Sequence, residues 1–372
     1  MRARALLFAV LSALSTGLVS QANAAVDAPG FTSGPTVVSG GLLWWGAKGV
    51  SLSGASGTHL IVPGTEWSTV LVEGGWTAGA EQTRLEVGRT GGRLAAVRAL
   101  RRCRAGSPED WLEALAHGGL YTIVRASCLG RRPAQAQFLV RVRLSTGVLQ
   151  AIARVPSGAV ALTAAGKRLA LTYEASGKPR GRVRVEVVDS SSAKLLYTVT
   201  APSGEERRGR YERTEIDSAG DVLVSGIIHT PPPGPGIAFG WWGNARTRVG
   251  RSLGETASQV ASLSDGRIAY VTDRGGVEHI DVLNLATRKA RTMVTFPGSA
   301  RVEGVGLGET RLAWAQQSYG YTPPTTAGHI CVSRTSVGPT ELVETPLSTS
   351  GGPIVVKGVS VPPAAGPLCP EM

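Results

Sequence analysis

The chain has 372 residues, 42% apolar, 5% aromatic and 18% charged, with 49 Gly and 22 Pro. That composition supplies a core but cuts the chain into short segments, and it excludes a coiled coil, a collagen-like repeat and wholesale disorder. The formal net charge is +12, with 33 Arg against 6 Lys spread along the whole length, so an anionic partner suits the chain better than a cationic one.

Arg2 and Arg4 precede an apolar run from Ala5 to Val19 and then Ala22, Asn23 and Ala24. This is the basic start, apolar middle and small-residue cleavage site of a secretory signal peptide, with cleavage expected after Ala24. The run is shorter than the ~20 residues that a membrane span needs, and no later stretch is long and apolar enough to serve. The expectation is an exported protein of the periplasm, the cell wall or the medium, with no transmembrane segment after cleavage. Export makes nucleic acid an unsuitable partner. The expected division is a signal peptide at 1–24, an N-terminal linker at 25–35, a repeat domain at 36–361 and a tail at 362–372.

Within the repeat domain one pattern recurs: an apolar strand, a tight polar or Gly turn, and a second apolar strand. The clearest copy runs from Val260 to Thr272, and the stretches Trp111 to Ser127, Val160 to Tyr173, Thr214 to Ser225 and Val305 to Ala315 align with it. Shorter versions lie at Leu85 to Leu100 and Val37 to Trp45. The first apolar residue after each turn is Leu42, Leu94, Leu120, Leu169, Val222, Ile268 and Leu312, giving intervals of 52, 26, 49, 53, 46 and 44. A second hairpin follows most of these, at Phe138 to Val155, Val183 to Val199, Val277 to Val294 and Ile330 to Val343, which makes about four strands per unit. Four-stranded units of ~40 to 50 residues predict an all-β chain folded as a β-propeller. The arithmetic favours seven blades, one of them reduced to fit the 26-residue interval, over a six-bladed alternative. Ser107 to Ala116 has the look of a short capped helix, but it aligns with the first strand of the other copies and is read as strand.

A propeller has to hide its open edges. The segment from Pro353 to Val361 is a lone strand after the last unit and is expected to pair with the first blade near Pro35 to Ser39, closing the ring. Four Cys in an exported chain point to disulfides. Cys103 and Cys128 occupy matching places, nine residues after Leu94 and eight after Leu120, and Cys331 and Cys369 lie where a bond would pin the tail, so the pairs expected are Cys103–Cys128 and Cys331–Cys369.

Ser264-Asp265-Gly266-Arg267-Ile268-Ala269-Tyr270 resembles the S-P-D-G-x-x-I/L-A-F/Y core of TolB-like propeller repeats, relatives of the WD-type repeats, without the family's Pro. The other copies share only the apolar strand and the turn. The resemblance implies a binding scaffold of a secreted bacterial propeller and carries no catalytic residue across.

Links after the second strand of each unit share one face with the links between units, and here they are the long ones. They bring Arg131, Arg132, Lys178, Arg180 and Arg182 to that face, with Tyr319 and Tyr321 opposite. Guanidinium groups pair bidentately with carboxylate or phosphate and aromatic faces stack on sugars, so these residues are the candidate ligand site for an anionic cell-envelope glycan or a protein partner. Trp44-Trp45 and Trp241-Trp242 form an internal echo and are expected to pack between sheets, since neighbours on a strand point to opposite sides. His59, His279 and His329 each begin a strand and are read as structural. No nucleophile elbow, zinc-protease helix, phosphate loop or dinucleotide loop is present in the sequence, so no catalytic residue, metal or cofactor is assigned. Glu174, Glu205, Glu206 and Asp273 could supply carboxylates near the channel mouth. The expected protein is thus a monomeric, non-catalytic binding or scaffolding propeller, and the competing reading is a hydrolase or lyase acting on polysaccharide or peptide at the central channel.

Overall fold

The computed structural model describes residues 25–27, 35–38, 41–46, 48–64, 67–81, 84–101, 103, 113–173, 183–203, 210–228, 237–256, 261–296, 300–321, 334–336, 341–348 and 354–355. The expected signal peptide at 1–24 and the pair Cys331–Cys369 lie outside the described residues, as do His329 and most of the closing segment from Pro353 to Val361. Among the described residues no helix is long and apolar enough to cross a membrane.

The chain is a seven-bladed β-propeller. Strand β1 (Ala25–Asp27) precedes blade 1, which is β2 (Thr36–Val38), β3 (Gly41–Gly46), β4 (Gly49–Gly54) and β5 (Gly57–Pro63). Blade 2 is β6 (Trp67–Glu73), β7 (Trp76–Glu81), β8 (Arg84–Arg89) and β9 (Ala95–Ala96). Blade 3 is β10 (Glu113–Ala116), β11 (Gly119–Arg125), β12 (Gln137–Arg143) and β13 (Leu149–Val155). Blade 4 is β14 (Ala159–Ala165), β15 (Arg168–Tyr173), β16 (Arg184–Asp189) and β17 (Leu195–Thr200). Blade 5 is β18 (Arg210–Ile216), β19 (Val222–Ile228), β20 (Ile237–Gly243) and β21 (Arg251–Thr256). Blade 6 is β22 (Ala261–Ser264), β23 (Arg267–Arg274), β24 (Val277–Asn284) and β25 (Lys289–Thr295). Blade 7 is β26 (Ala300–Leu307), β27 (Arg311–Tyr321), β29 (Glu341–Pro346) and β30 (Ile354–Val355), with β28 (Arg334–Ser336) paired to the far end of β27. All strand pairings within the blades are antiparallel. Within each blade the four strands are called first to fourth from the channel outward.

Local chemistry sets the hairpins. His117 and Gly118 have φ of 45° and 62°, and Asp265 and Gly266 have 47° and 66°. Two successive left-handed residues make the turn whose twist matches the flanking strands, which is why an Asp-Gly or His-Gly pair stands between two apolar runs. Each of the seven buried clusters then spans two neighbouring blades. Trp45 packs from blade 1 against Trp67 and Val70 of blade 2, while Trp44 faces Ala313 and Leu342 of blade 7. Trp241 divides from Trp242 in the same way, the first packing toward blade 4 and the second toward blade 6. All four indoles are buried, so the paired Trp serve both neighbouring interfaces at once and offer no sugar platform.

The blade read as reduced is blade 2. It has four strands, the outermost only two residues long, and its inner hairpin is Trp67 to Glu81, not Leu85 to Leu100. Leu94 is therefore not a blade marker. In the stretch read as a linker, Ala25–Asp27 forms β1 and adds a fifth strand to the inner edge of β6, with Val26 opposite Val70. The expected closure is corrected as well. Ile354–Val355 pairs with β29 of its own blade instead of crossing to blade 1, because the β27–β29 pair presents an open outer edge beside it. Blades 7 and 1 meet through side-chain packing of Val37, Leu42, Trp44, Ala313 and Leu342. His59 sits on a fourth strand and His279 on a third, so they are not one repeat position.

Candidate functional site

Strand alternation gives the ring two ends. The loops after each second strand and the links between blades share one, the loop end; the first-to-second and third-to-fourth turns share the other, the turn end. Cys103, after β9, and Cys128, after β11, both belong to the loop end and form a disulfide, as their matching places predict. The bond ties the link leaving blade 2 to the loop of blade 3.

That loop is internally braced. The N–H groups of Ala126 and Ala136 donate to the carbonyls of Ala136 and Pro133 at 2.7 and 3.0 Å, and the N–H of Arg131 donates to that of Ala126 at 2.9 Å. The bond between Arg132 and Pro133 is cis. Against this loop runs the link from blade 3 to blade 4, and between them lies an open cleft of about 570 Å³ lined by Pro133, Gln135, Ala136, Gln137, Arg154 and Val155 to Ser157. Gln137 pairs across the sheet with Val155, and both residues line the cleft. Its side-chain oxygen is buried with no hydrogen-bond partner among the described residues, so it lacks a donor that a ligand could supply once the amide turns toward the cleft. Among the described residues no carboxylate lines the cleft.

Arg131 and Arg132 are exposed on the same loop, with the Arg131 guanidinium 5.1 Å over the Phe138 ring. Lys178, Arg180 and Arg182 lie outside the described residues. Tyr319 and Tyr321 are on β27, where they pair through backbone with Ser336 and Arg334 of β28. The structure thus brings Arg131 and Arg132 to one loop beside the cleft, and Tyr319 and Tyr321 to another blade. Sequence reasoning missed Gln135, Gln137 and Arg154, although the short link after Val155 was a visible signal of what faces that loop.

Part of the Arg excess is structural. Arg89 lies 4.2 Å over Trp76, Arg141 5.7 Å over Tyr121, Arg184 4.7 Å over Tyr173 and Arg251 5.7 Å over Trp242. Every one of these is a direct cross-strand pair, so four successive blades cover an aromatic face with a guanidinium.

The buried carboxylates join blades. Glu215 receives the N–H of Leu263 from the next blade at 2.5 Å and pairs with Arg213 at 2.6 Å. Glu278 receives the N–H of Val302 at 2.8 Å, and Asp217 that of Gly266 at 2.8 Å. Burial raises the Asp217 carboxyl above its ordinary range, against the donors that lower it. Asp281 binds Thr272, Thr292 and Arg274, and Asp273 caps the turn at Gly276. Glu174, Glu205 and Glu206 lie outside the described residues. One acid stands apart: burial pushes the Glu73 carboxyl up to about 7, in spite of a hydrogen bond from the His117 backbone that works the other way. Among the described residues no group of three or more His, Cys, Asp or Glu is placed to hold a metal ion.

No family model matches the chain, and no curated protein sequence does. Solved structures similar to it include the β-propeller domain of the Trilobed protease from Pyrococcus furiosus, at 7% identity and a TM-score of 0.41, covering 82% of this chain and 98% of that one. Acylaminoacyl peptidase from Pyrococcus horikoshii is similar at 9% identity and a TM-score of 0.43; 76% of this chain covers 52% of the peptidase, about half its length. Oligogalacturonate lyase from Vibrio parahaemolyticus is similar at 10% identity and a TM-score of 0.34, covering 73% of this chain and 79% of the lyase.

Proposed function

We propose that the chain is an exported, non-catalytic binding propeller whose loop end holds an anionic cell-envelope glycan. The observation that carries this reading is the cleft of blade 3, where Gln137, whose amide oxygen has no partner among the described residues, and Arg154 are lining residues and Arg131 and Arg132 stand on the adjoining loop. Sugar hydroxyls supply the donor that Gln137 lacks, and acidic substituents meet the guanidinium groups. The likeness of residues 264–270 to TolB-type repeats agrees with a scaffold role, and so does the use of buried carboxylates as links between blades. The test is titration of acidic and neutral envelope polysaccharides across a salt series. Wild type binds the acidic polymer saturably, and Gln137→Ala with Arg154→Ala loses at least roughly tenfold in affinity, as removal of two polar contacts requires. Equal binding of acidic and neutral polymers, or no loss in the variant, overturns the reading.

A second reading, a hydrolase or lyase at the channel, looks to Glu73 at the end of β6, the first strand of blade 2, whose carboxyl is raised by burial toward the range of a general acid. A substrate screen on wild type and Glu73→Gln decides it: turnover that the variant abolishes establishes the enzyme, and its absence leaves binding.

A further inference from the structure

The turn end, opposite the cleft, repeats a chemical pattern that the proposed function does not use. The third-to-fourth turns of blades 3 to 6 expose Arg143, then Lys194, then Arg246 and Arg248, then Arg288 and Lys289. In blades 3, 4 and 5 an exposed aliphatic accompanies the cation: Val148 at 60%, Leu195 and Leu196 at 53% and 47%, and Val249 at 54%.

These turns are fixed at one end of the ring. The N–H of Leu144 donates to Gly118 O at 3.0 Å, that of Ser190 to Lys167 O at 2.9 Å and that of Leu285 to Gly266 O at 2.9 Å. In blade 5 the Asn244 amide donates to Asp221 at 2.7 Å. Each outer turn is thereby held to the inner turn of its own blade. Three acids at this end have partners within the turns. Asp189 accepts from the backbone and hydroxyls of Ser191 and Ser192, Asp217 accepts turn N–H groups, and Asp265 pairs with Arg267 at 3.1 Å. The outer turns of blades 3 to 6 carry these six cations against one carboxylate, Asp189, so the field over them is positive.

We propose that the turn end of blades 3 to 6 docks on an anionic lipid surface. Val148, Leu195, Leu196 and Val249 enter the headgroup layer, while the long stems of the neighbouring Arg and Lys reach lipid phosphates. Charge alone suits any polyanion; the aliphatic tips are what select a bilayer, since a soluble polysaccharide gives them nothing to enter. The docked ring presents the cleft of blade 3 away from the membrane.

Co-flotation of the full chain tests this with vesicles of phosphatidylcholine and with an equimolar mixture of phosphatidylcholine and phosphatidylglycerol. Every variant keeps the same N-terminal apolar run, so its contribution cancels between variants, and the part due to anionic lipid is read as the affinity gained over phosphatidylcholine alone. Wild type floats with the anionic vesicles. The set Arg246→Gln, Arg248→Gln, Arg288→Gln and Lys289→Gln loses about 100-fold or more in affinity, from about fivefold per cation near an anionic surface. The set Val148→Ser, Leu195→Ser and Val249→Ser loses roughly tenfold or more on the same vesicles, while its binding to soluble dextran sulfate is unchanged. Melting followed by circular dichroism checks folding, and the single changes Leu196→Ser and Arg288→Gln replace any set that unfolds. Equal flotation with both vesicle types, no loss in the aliphatic set, or an equal loss on changing Arg131 and Arg132 at the opposite end overturns the proposal. Failure of the cleft variants to bind glycan leaves it standing, because the two surfaces lie at opposite ends.

Discussion

Gly306 of the last blade lies directly against the carbonyl of Pro35 in the first, so close that a β-carbon on Gly306 would stand 1.9 Å from that oxygen. This contact is part of the seam between the last blade and the first, where β26 and β27 pack against β2. The obstacle is backbone on both sides, so it has no side chain to swing away. Gly306→Ala is expected to lower stability by about 3 kcal/mol, at the upper end of overpacking costs. Urea denaturation reads this as a lower midpoint with an unchanged slope, and an unchanged midpoint would show that the seam yields freely.

Blades 5 and 6 are stitched by Glu215. Its carboxylate takes the N–H of Leu263 while holding Arg213, and Ser262 repeats the device by accepting the N–H of Leu307 at 3.2 Å in blade 7. Glu215→Ala strands the half-buried Arg213 guanidinium and a buried N–H, and the expected loss is about 3 kcal/mol. Glu215→Gln keeps an acceptor for Leu263, and its loss is expected to be smaller by at least about 1 kcal/mol. Equal losses in the two variants would mean that packing volume, not the acceptor, matters at this position.

The hairpin from Ala261 to Tyr270 was legible because an Asp-Gly turn sits between two apolar runs, and the same signal found the inner hairpins of blades 3, 4, 5 and 7. Blade 2 escaped for a physical reason. Its second strand carries Ala78, Gly79 and Ala80, and Gly79 leaves room for the Trp67 ring, 2.7 Å from where a β-carbon would be. Small residues that admit an indole give little apolar signal, so the repeat pattern points to Leu94 instead. The partner of β1 was not legible either, since Ala25–Asp27 pairs with residues more than forty positions away and edge pairing leaves no local pattern. At the candidate site, Arg131 and Arg132 could be read from loop length, but the open acceptor of Gln137 depends on how two loops fit together.

The disulfide between Cys103 and Cys128 encloses a separation of 25 residues. Chain-entropy arguments give about 3 kcal/mol for a loop of this size. Cys103→Ser with Cys128→Ser is expected to lose that much in urea denaturation without reductant, and reductant should bring wild type down to the variant. The same double change loosens the loop that forms one wall of the cleft, so glycan affinity should fall with no residue of the cleft altered. If stability falls and affinity does not, the braces within Ala126 to Ala136 suffice to hold the wall.

Glu73 makes stability depend on pH in a direction opposite to an ordinary paired carboxylate. Unfolded, it titrates near its usual 4.5; folded, burial moves it to about 7. Between these values the native state still holds a proton that the unfolded chain has released, so stability falls as pH rises through the window. The contribution is complete below 4.5 and lost above 7, and the separation corresponds to roughly 3 kcal/mol. Burial also raises Asp217 and Asp221, whereas donors from Ser191 and Ser192 bring Asp189 down to about 2, so the wild-type curve alone does not isolate Glu73. The difference between wild type and Glu73→Gln does. The amide is neutral at every pH and can accept the same His117 N–H, so the variant should match wild type in acid and exceed it above pH 7 by nearly the full amount. A difference that stays flat from pH 4.5 to 7 would show that the carboxyl ionises freely and that water reaches it in the native ring.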